Sequence, residues 1–113
     1  MLISGIYDSN MAHTNPSTAA NQVFEQAAEL FGLMSAPIRL HIISELCRGE
    51  LNVTQLLERV AATQPNMSQH LATLYRAGVV ARRRDGSQIY YRIGNDRAAA
   101  VCRAVCVDIA SST

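Results

Sequence analysis

Apolar residues recur at helical spacing along most of this chain and give way to strand-like alternation in one region. Val23, Ala27, Leu30 and Phe31, with Phe24 alongside, predict an amphipathic helix over about 18–34. Ser35-Ala36-Pro37 then restarts the chain, with Ser35 as the expected cap and Pro37 in the first helical turn. Ile38, Ile42, Ile43 and Leu46 carry a second helix to a stop at Gly49. Asn52 to Val60 reads as a short third helix with Val53, Leu56, Leu57 and Val60 on one side, and Ala61-Ala62-Thr63 breaks it. Gln64-Pro65 opens a fourth helix, whose Met67, Leu71 and Leu74 face inward and whose end is Gly78. Val79 to Arg84 predicts a strand, Asp85-Gly86 a hairpin turn, and Ser87 to Ile93 the returning strand. Asp96 is the expected cap of a last helix reaching about Ala110.

The predicted fold class is therefore mainly α with a small β-hairpin, in the order α-α-α-α-β-β-α. Residues 1–17 show no periodicity and are expected to form a flexible tail, with Met11 an alternative start to Met1; residues 18–113 form one domain. The interior of the last helix, Ala98 to Ile109, is apolar nearly all round, broken only by Arg103 and Asp108. A domain of this size cannot bury such a helix alone, so a homodimer built through the terminal helices is expected.

At 113 residues, 49% hydrophobic and 17% charged, the chain suits a single globular domain rather than a disordered one. No apolar run approaches the roughly 18–20 residues of a membrane span, and the N-terminus lacks the basic start and apolar core of a secretory signal. A cytoplasmic protein with no membrane partner is expected, and there three cysteines read as free thiols. The net charge of +1 conceals an asymmetry: residues 1–47 carry −3 and residues 48–113 carry +4. All ten basic residues are arginine, and Arg76, Arg82, Arg83, Arg84 and Arg92 fall within 17 residues. Arginine is the residue suited to phosphate contacts.

Two short helices joined by a tight turn, the second polar on its leading face, make a helix-turn-helix, and the hairpin after it makes a wing. Gln and Asn bind adenine edges bidentately, while Ser, Thr and His serve bases or phosphates. Gln64, Asn66, Ser68, Gln69, His70 and Thr73 supply that set. In the wing, Arg82, Arg84, Ser87 and Gln88 are candidates for a flanking minor groove or phosphate. Strand alternation turns Arg83 to the opposite side from Arg82 and Arg84, and splits Tyr90 and Tyr91 between surface and core.

The chain resembles the ArsR/SmtB family of bacterial winged-helix repressors over about 20–110. Leu33-Met34-Ser35-Ala36-Pro37-Ile38-Arg39-Leu40 is similar to the family's opening signature, and Glu50-Leu51-Asn52-Val53-Thr54-Gln55-Leu56 to its ELxVxxL frame. Ser68-Gln69-His70-Leu71, followed by Leu74-Tyr75-Arg76-Ala77-Gly78-Val79-Val80, resembles its recognition segment. The resemblance implies a dimeric repressor that binds double-stranded operator DNA and is released by a ligand. The family's thiol-rich arsenic site places cysteines where this chain has Asn52 and Thr54. Its zinc, nickel or cobalt site uses Asp/His pairs on the last helix, where this chain has Asp96 and Asp108 but no His after His70. His13, His41 and His70 are scattered, and none is assigned to a metal.

Cysteine remains. Cys102 and Cys106 stand four apart on the last helix, about 5–6 Å apart at Cβ, and Cys47 ends the second helix. Two sensing chemistries fit: a thiol pair joined through added sulfur or oxidised, and arsenite or antimonite held by Cys47, Cys102 and Cys106. The family includes reactive-sulfur sensors with one cysteine on the second helix and one on the last; this chain departs from them, with Ser44 and Ala110 near those positions. A direct disulfide between helical neighbours four apart is strained, and a longer sulfur bridge or a bond to Cys47 relieves it. The third alternative is a winged-helix module that binds protein partners and has no inducer. No nucleophile motif, phosphate loop or carboxylate pair supports an enzyme.

Overall fold

The computed structural model describes residues 16–112. The expected tail lies outside the described residues as far as position 15, and so do Met11 and His13. The described elements are α1 (Pro16–Met34), α2 (Pro37–Leu46), β1 (Leu51–Asn52), α3 (Val53–Arg59), α4 (Gln64–Arg76), β2 (Val80–Asp85), β3 (Gln88–Ile93) and α5 (Asp96–Ser111). The chain divides into two compact units between Gly32 and Leu33. The first is the body of α1, which starts two positions earlier than its periodicity suggested and exposes Val23, Phe24 and Phe31. The second contains all the remaining elements.

In the second unit each helix start has a local cause. The α2 cap is Ala36, not Ser35, and has no side-chain hydrogen bond; Pro37 follows it, its fixed φ suited to a first turn. Asn52 caps α3 through a reciprocal box: its Oδ1 accepts from the Gln55 amide at 2.8 Å, and its own amide donates to Gln55 Oε1 at 2.9 Å. Thr63 Oγ1 accepts from the Asn66 amide at the start of α4. Asn95 rather than Asp96 caps α5, accepting from the Arg97 amide at 2.8 Å and leaving Asp96 in the first turn, where the helix dipole favours its charge.

The hairpin belongs to a three-stranded antiparallel sheet in the order β1-β3-β2, so the predicted order lacked one strand. Leu51 pairs with Tyr91, Val80 with Ile93 and Asp85 with Gln88. That register makes Gly86-Ser87 the two-residue loop and Asp85 the last residue of β2, a correction to the expected Asp85-Gly86 turn. Gly86 has φ +63° and Ser87 stays negative, the pattern of a II′ turn with glycine first. At the wing's base Gly94 passes so close to the Gly78–Ala81 backbone that a Cβ there would lie 2.9 Å from the Gly78 carbonyl oxygen.

Ile42, Ile43, Leu56, Met67, Leu71, Leu74, Val79, Val80 and Cys102 form the fully buried core. Burial of each large aliphatic side chain contributes on the order of 1.5–3 kcal/mol, so truncating Leu71 to Ala is expected to cost about 2–5 kcal/mol. α2 is central: it packs against α3, α4 and α5. The element that carries the thiols and the element that carries the polar leading face therefore share one neighbour. No helix among the described residues is long and apolar enough to cross a membrane.

Candidate nucleic-acid interface

The turn from Val60 to Thr63 sets α4 against α3, and burial of Met67, Leu71 and Leu74 fixes which side of α4 faces out. Gln64, Asn66, Ser68 and Gln69 are exposed on it. Thr73 is half-buried and its hydroxyl donates back to the Gln69 carbonyl at 3.1 Å, which occupies its proton within the helix. His70 is also half-buried, and its Nδ1 lies 3.2 Å from Arg39 Nη1 on α2. Four of the six candidate readers thus stand free on the surface, and two are held by the protein.

The wing arginines divide by strand alternation. Arg83 turns to Glu50, with Nη2 2.7 Å from Oε1 and Nε 3.0 Å from Oε2, and its guanidinium lies 4.7 Å from the centre of the Tyr90 ring. Asp85 adds a looser contact at 3.6 Å. The hydrogen bond from Arg83 holds the Glu50 carboxyl below its ordinary range, and Glu50 in turn holds Arg83 in its charged form. Arg82 lies over the Tyr75 ring at 3.9 Å, tying the wing to the last turn of α4. Interaction with the Tyr91 hydroxyl, and then with that of Tyr75, reinforces its charge. Tyr75, Arg82, Arg83, Arg84 and Ile89 line an open cleft between recognition helix and wing. Arg84, Ser87 and Gln88 are exposed toward the wing tip. As alternation required, Tyr91 is buried and Tyr90 is not.

Three residues of this surface escaped the sequence reading: Arg39, Glu50 and Tyr75. Arg39 and Glu50 stood inside family-like motifs but act on partners 31 and 33 residues away. Tyr75 offered one signal, an aromatic residue on the polar last turn of α4.

On α5 the Cys102 and Cys106 sulfurs lie 3.8 Å apart, and the Cys102 thiol is directed at the Leu40 carbonyl oxygen of α2 at 3.6 Å. Burial, and then hydrogen bonding to Cys106, pushes the Cys102 thiol up to about 11, which keeps it protonated near neutral pH. Cys106 is half-buried, and Cys47 is approached by Arg103 Nη1 at 3.7 Å. Among the described residues no three His, Cys, Asp or Glu side chains are grouped to hold a metal ion. Of the three thiols of the alternative metalloid site, Cys102 and Cys106 meet, while Cys47 has Arg103 beside it and is near enough to raise the Cys102 thiol electrostatically.

A helix-turn-helix whose second helix exposes a polar face, followed by a hairpin wing with exposed arginines, defines a winged-helix DNA-binding regulator. The family described as "Bacterial regulatory protein, arsR family" matches residues 36–82. The chain is 34% identical over 90 residues to the biofilm growth-associated repressor of Agrobacterium fabrum, covering 80% of this chain and 77% of that one. Its fold superposes on the crystal structure of the transcriptional repressor BigR from Xylella fastidiosa with a TM-score of 0.72 at 33% identity, over 75% of this chain and 87% of that one. A homodimeric winged helix-turn-helix domain from Mycobacterium bovis, described as a possible ArsR-family regulator, matches with a TM-score of 0.66 at 27% identity, over 79% of this chain and 82% of that one. The chain belongs to the ArsR family of transcriptional repressors, which are not enzymes.

Proposed function

We propose that this chain acts in the cytoplasm as a homodimeric repressor, binding double-stranded operator DNA through α4 and the wing and leaving it when Cys102 and Cys106 are joined through added sulfur. Gln64, Asn66, Ser68 and Gln69 read base edges, with His70 and Thr73 at the margin of the same surface. Arg84, Ser87 and Gln88 meet the flanking groove or backbone, while Arg82 supports the wing through Tyr75. Cys47, held near Arg103, is an auxiliary thiol.

The observation that carries the sensing half is the 3.8 Å approach of two sulfurs on a helix packed against α2. A persulfide donor RSSH transfers its outer sulfur to Cys106, the more accessible thiol, giving Cys106–SSH and RSH. A second donor does the same at Cys102. The two persulfides then condense to a trisulfide and release hydrogen sulfide, so sulfur, hydrogen and electrons balance. The added sulfur relieves the strain of a direct bridge between helical neighbours and displaces the Cys102 thiol from the Leu40 carbonyl. Recognition helices of a dimer must lie about one DNA turn apart, so a small shift of α5 against α2 disfavours the bound arrangement.

The test is a mobility shift on the DNA upstream of the chain's own gene, with intact-mass measurement of the same samples. Wild type is expected to release DNA after treatment with a persulfide donor and to gain one sulfur less two hydrogens, while Cys106→Ser binds DNA and does not let go. Release by arsenite with a gain of one arsenic replaces the sulfur inducer with a metalloid. Equal release of a triple Cys→Ser variant ends the sensing reading and leaves the DNA-binding one standing, whereas no shift at all favours a protein-partner module.

A further inference from the structure

We infer that His70 presents a fixed N–H donor to DNA, because Arg39 holds the other nitrogen of its ring as an acceptor. This rests on the reading of α4 as the DNA-facing helix. A guanidinium carries five N–H donors and no lone pair, so the 3.2 Å contact between Arg39 Nη1 and His70 Nδ1 requires Nδ1 to accept. In the neutral ring the proton then resides on Nε2, at the opposite edge of the imidazole from Arg39. Arg39 is itself anchored, its Nε donating to the Leu33 carbonyl in the last turn of α1. The guanidinium thus bridges the Leu33 carbonyl and the imidazole through different nitrogens.

His70 sits one turn after Asn66 on α4, on the flank between the buried Met67–Leu71–Leu74 side and the exposed readers. From that margin an Nε2–H donor matches hydrogen-bond acceptors alone: a phosphate oxygen or, in the major groove, N7 and O6 of guanine, N7 of adenine or O4 of thymine. It is mismatched to the amino groups of adenine and cytosine. Arg39 is a positioning residue in this scheme. It touches no DNA and sets which tautomer does.

The side-chain nitrogen shifts of His70 in the free, reduced protein test the clamp directly. Wild type is expected to show the Nε2–H tautomer, and Arg39→Met a mixture of both. Operator binding then tests the consequence. Gln at position 70 places an amide N–H where Nε2 was, whereas Asn reaches only as far as Nδ1. His70→Gln is expected to bind within about threefold of wild type and His70→Asn to lose about tenfold or more. Replacing operator purines by their 7-deaza analogues removes the His70-dependent difference if the acceptor is a purine N7, a difference that persists with unchanged salt dependence marks O6 or O4, and a change in salt dependence marks a phosphate. An Nδ1–H tautomer in wild type, or His70→Asn binding as well as wild type, overturns the inference. If wild-type protein fails to bind the operator while showing the Nε2–H tautomer, the DNA-facing reading of α4 fails and the Arg39 clamp stands.

Discussion

Val105→Asp tests the dimer, and its magnitude follows from the exposed half of α5. Val105 is 51% exposed and Ile109 58% exposed, and four residues apart they share one face of the helix. A second copy can cover about the half of Val105 that one copy leaves open. Full burial of a valine contributes roughly 1.5–3 kcal/mol, so half amounts to about 1 kcal/mol from each copy, or about 2 kcal/mol across a two-fold interface. Val105→Ala, which removes most of this, should weaken dimerisation about 10- to 30-fold. Aspartate adds the cost of desolvating an unpaired carboxylate, several kcal/mol per ion before relaxation. Counting only about 2 kcal/mol of it per copy brings the loss to about 6 kcal/mol, or about four orders of magnitude in Kd. Sedimentation equilibrium should therefore find Val105→Asp monomeric at micromolar concentrations where wild type is dimeric. A Val105→Asp dimer as tight as wild type would refute the placement of this face in the interface.

Gln69→Ala should reduce discrimination at one operator base pair by about 1–3 kcal/mol with little change in non-specific affinity, measured by competition between operator and scrambled duplexes; full operator preference would remove Gln69 from the readout. Arg84→Ala should lower the salt slope of binding by about one, whereas Arg83→Ala should leave it nearly unchanged, because Glu50 and Asp85 already engage Arg83. Equal slopes for the two variants in a salt titration would contradict that division. At pH 8 iodoacetamide should label Cys106 and Cys47 well before Cys102, whose thiol is buried and held protonated, and peptide mapping that finds Cys102 first would refute this. Because the Cys102 thiol is raised in the fold, its contribution to stability is complete below the ordinary thiol range, declines above about 9 and is lost as pH rises through about 11. Cys102→Ala should remove that part of the alkaline decline in the urea midpoint.

The parts of this molecule visible in its sequence are those decided by local pattern. Met67, Leu71 and Leu74 lie at helical spacing and are buried as that spacing requires, and alternation correctly separated Tyr91 from Tyr90 and Arg83 from Arg82. β1 was not visible, because two residues carry no periodicity; Leu51 and Asn52 are a strand only through pairing with Tyr91 and Tyr90. The hairpin turn was expected one residue early. Asp-Gly is a strong turn signal in isolation, but the sheet register fixes Asp85 opposite Gln88 and moves the turn to Gly86-Ser87. Of the two caps missed by one residue, Asn95 has a neighbour of similar chemistry in Asp96, between which sequence does not choose, whereas Ala36 has no capping side chain and so gave no signal beside Ser35. For the candidate surface, residue type picked out polar side chains that α4 leaves exposed but not the side chains held by distant partners. Arg39 with His70, Glu50 with Arg83 and Tyr75 with Arg82 are tertiary events, as is the approach of Arg103 to Cys47.

Native mass spectrometry of the reduced protein with its operator, before and after a persulfide donor, measures dimer, DNA complex and thiol state in one sample. The expected result is two chains on one duplex before treatment. After treatment, free duplex should appear beside protein in which each chain has gained one sulfur and lost two hydrogens, with the bridge mapped to Cys102 and Cys106. Release of the duplex by chains of unchanged mass, or retention of the duplex by chains carrying the bridge, would contradict the coupling of this thiol pair to DNA binding.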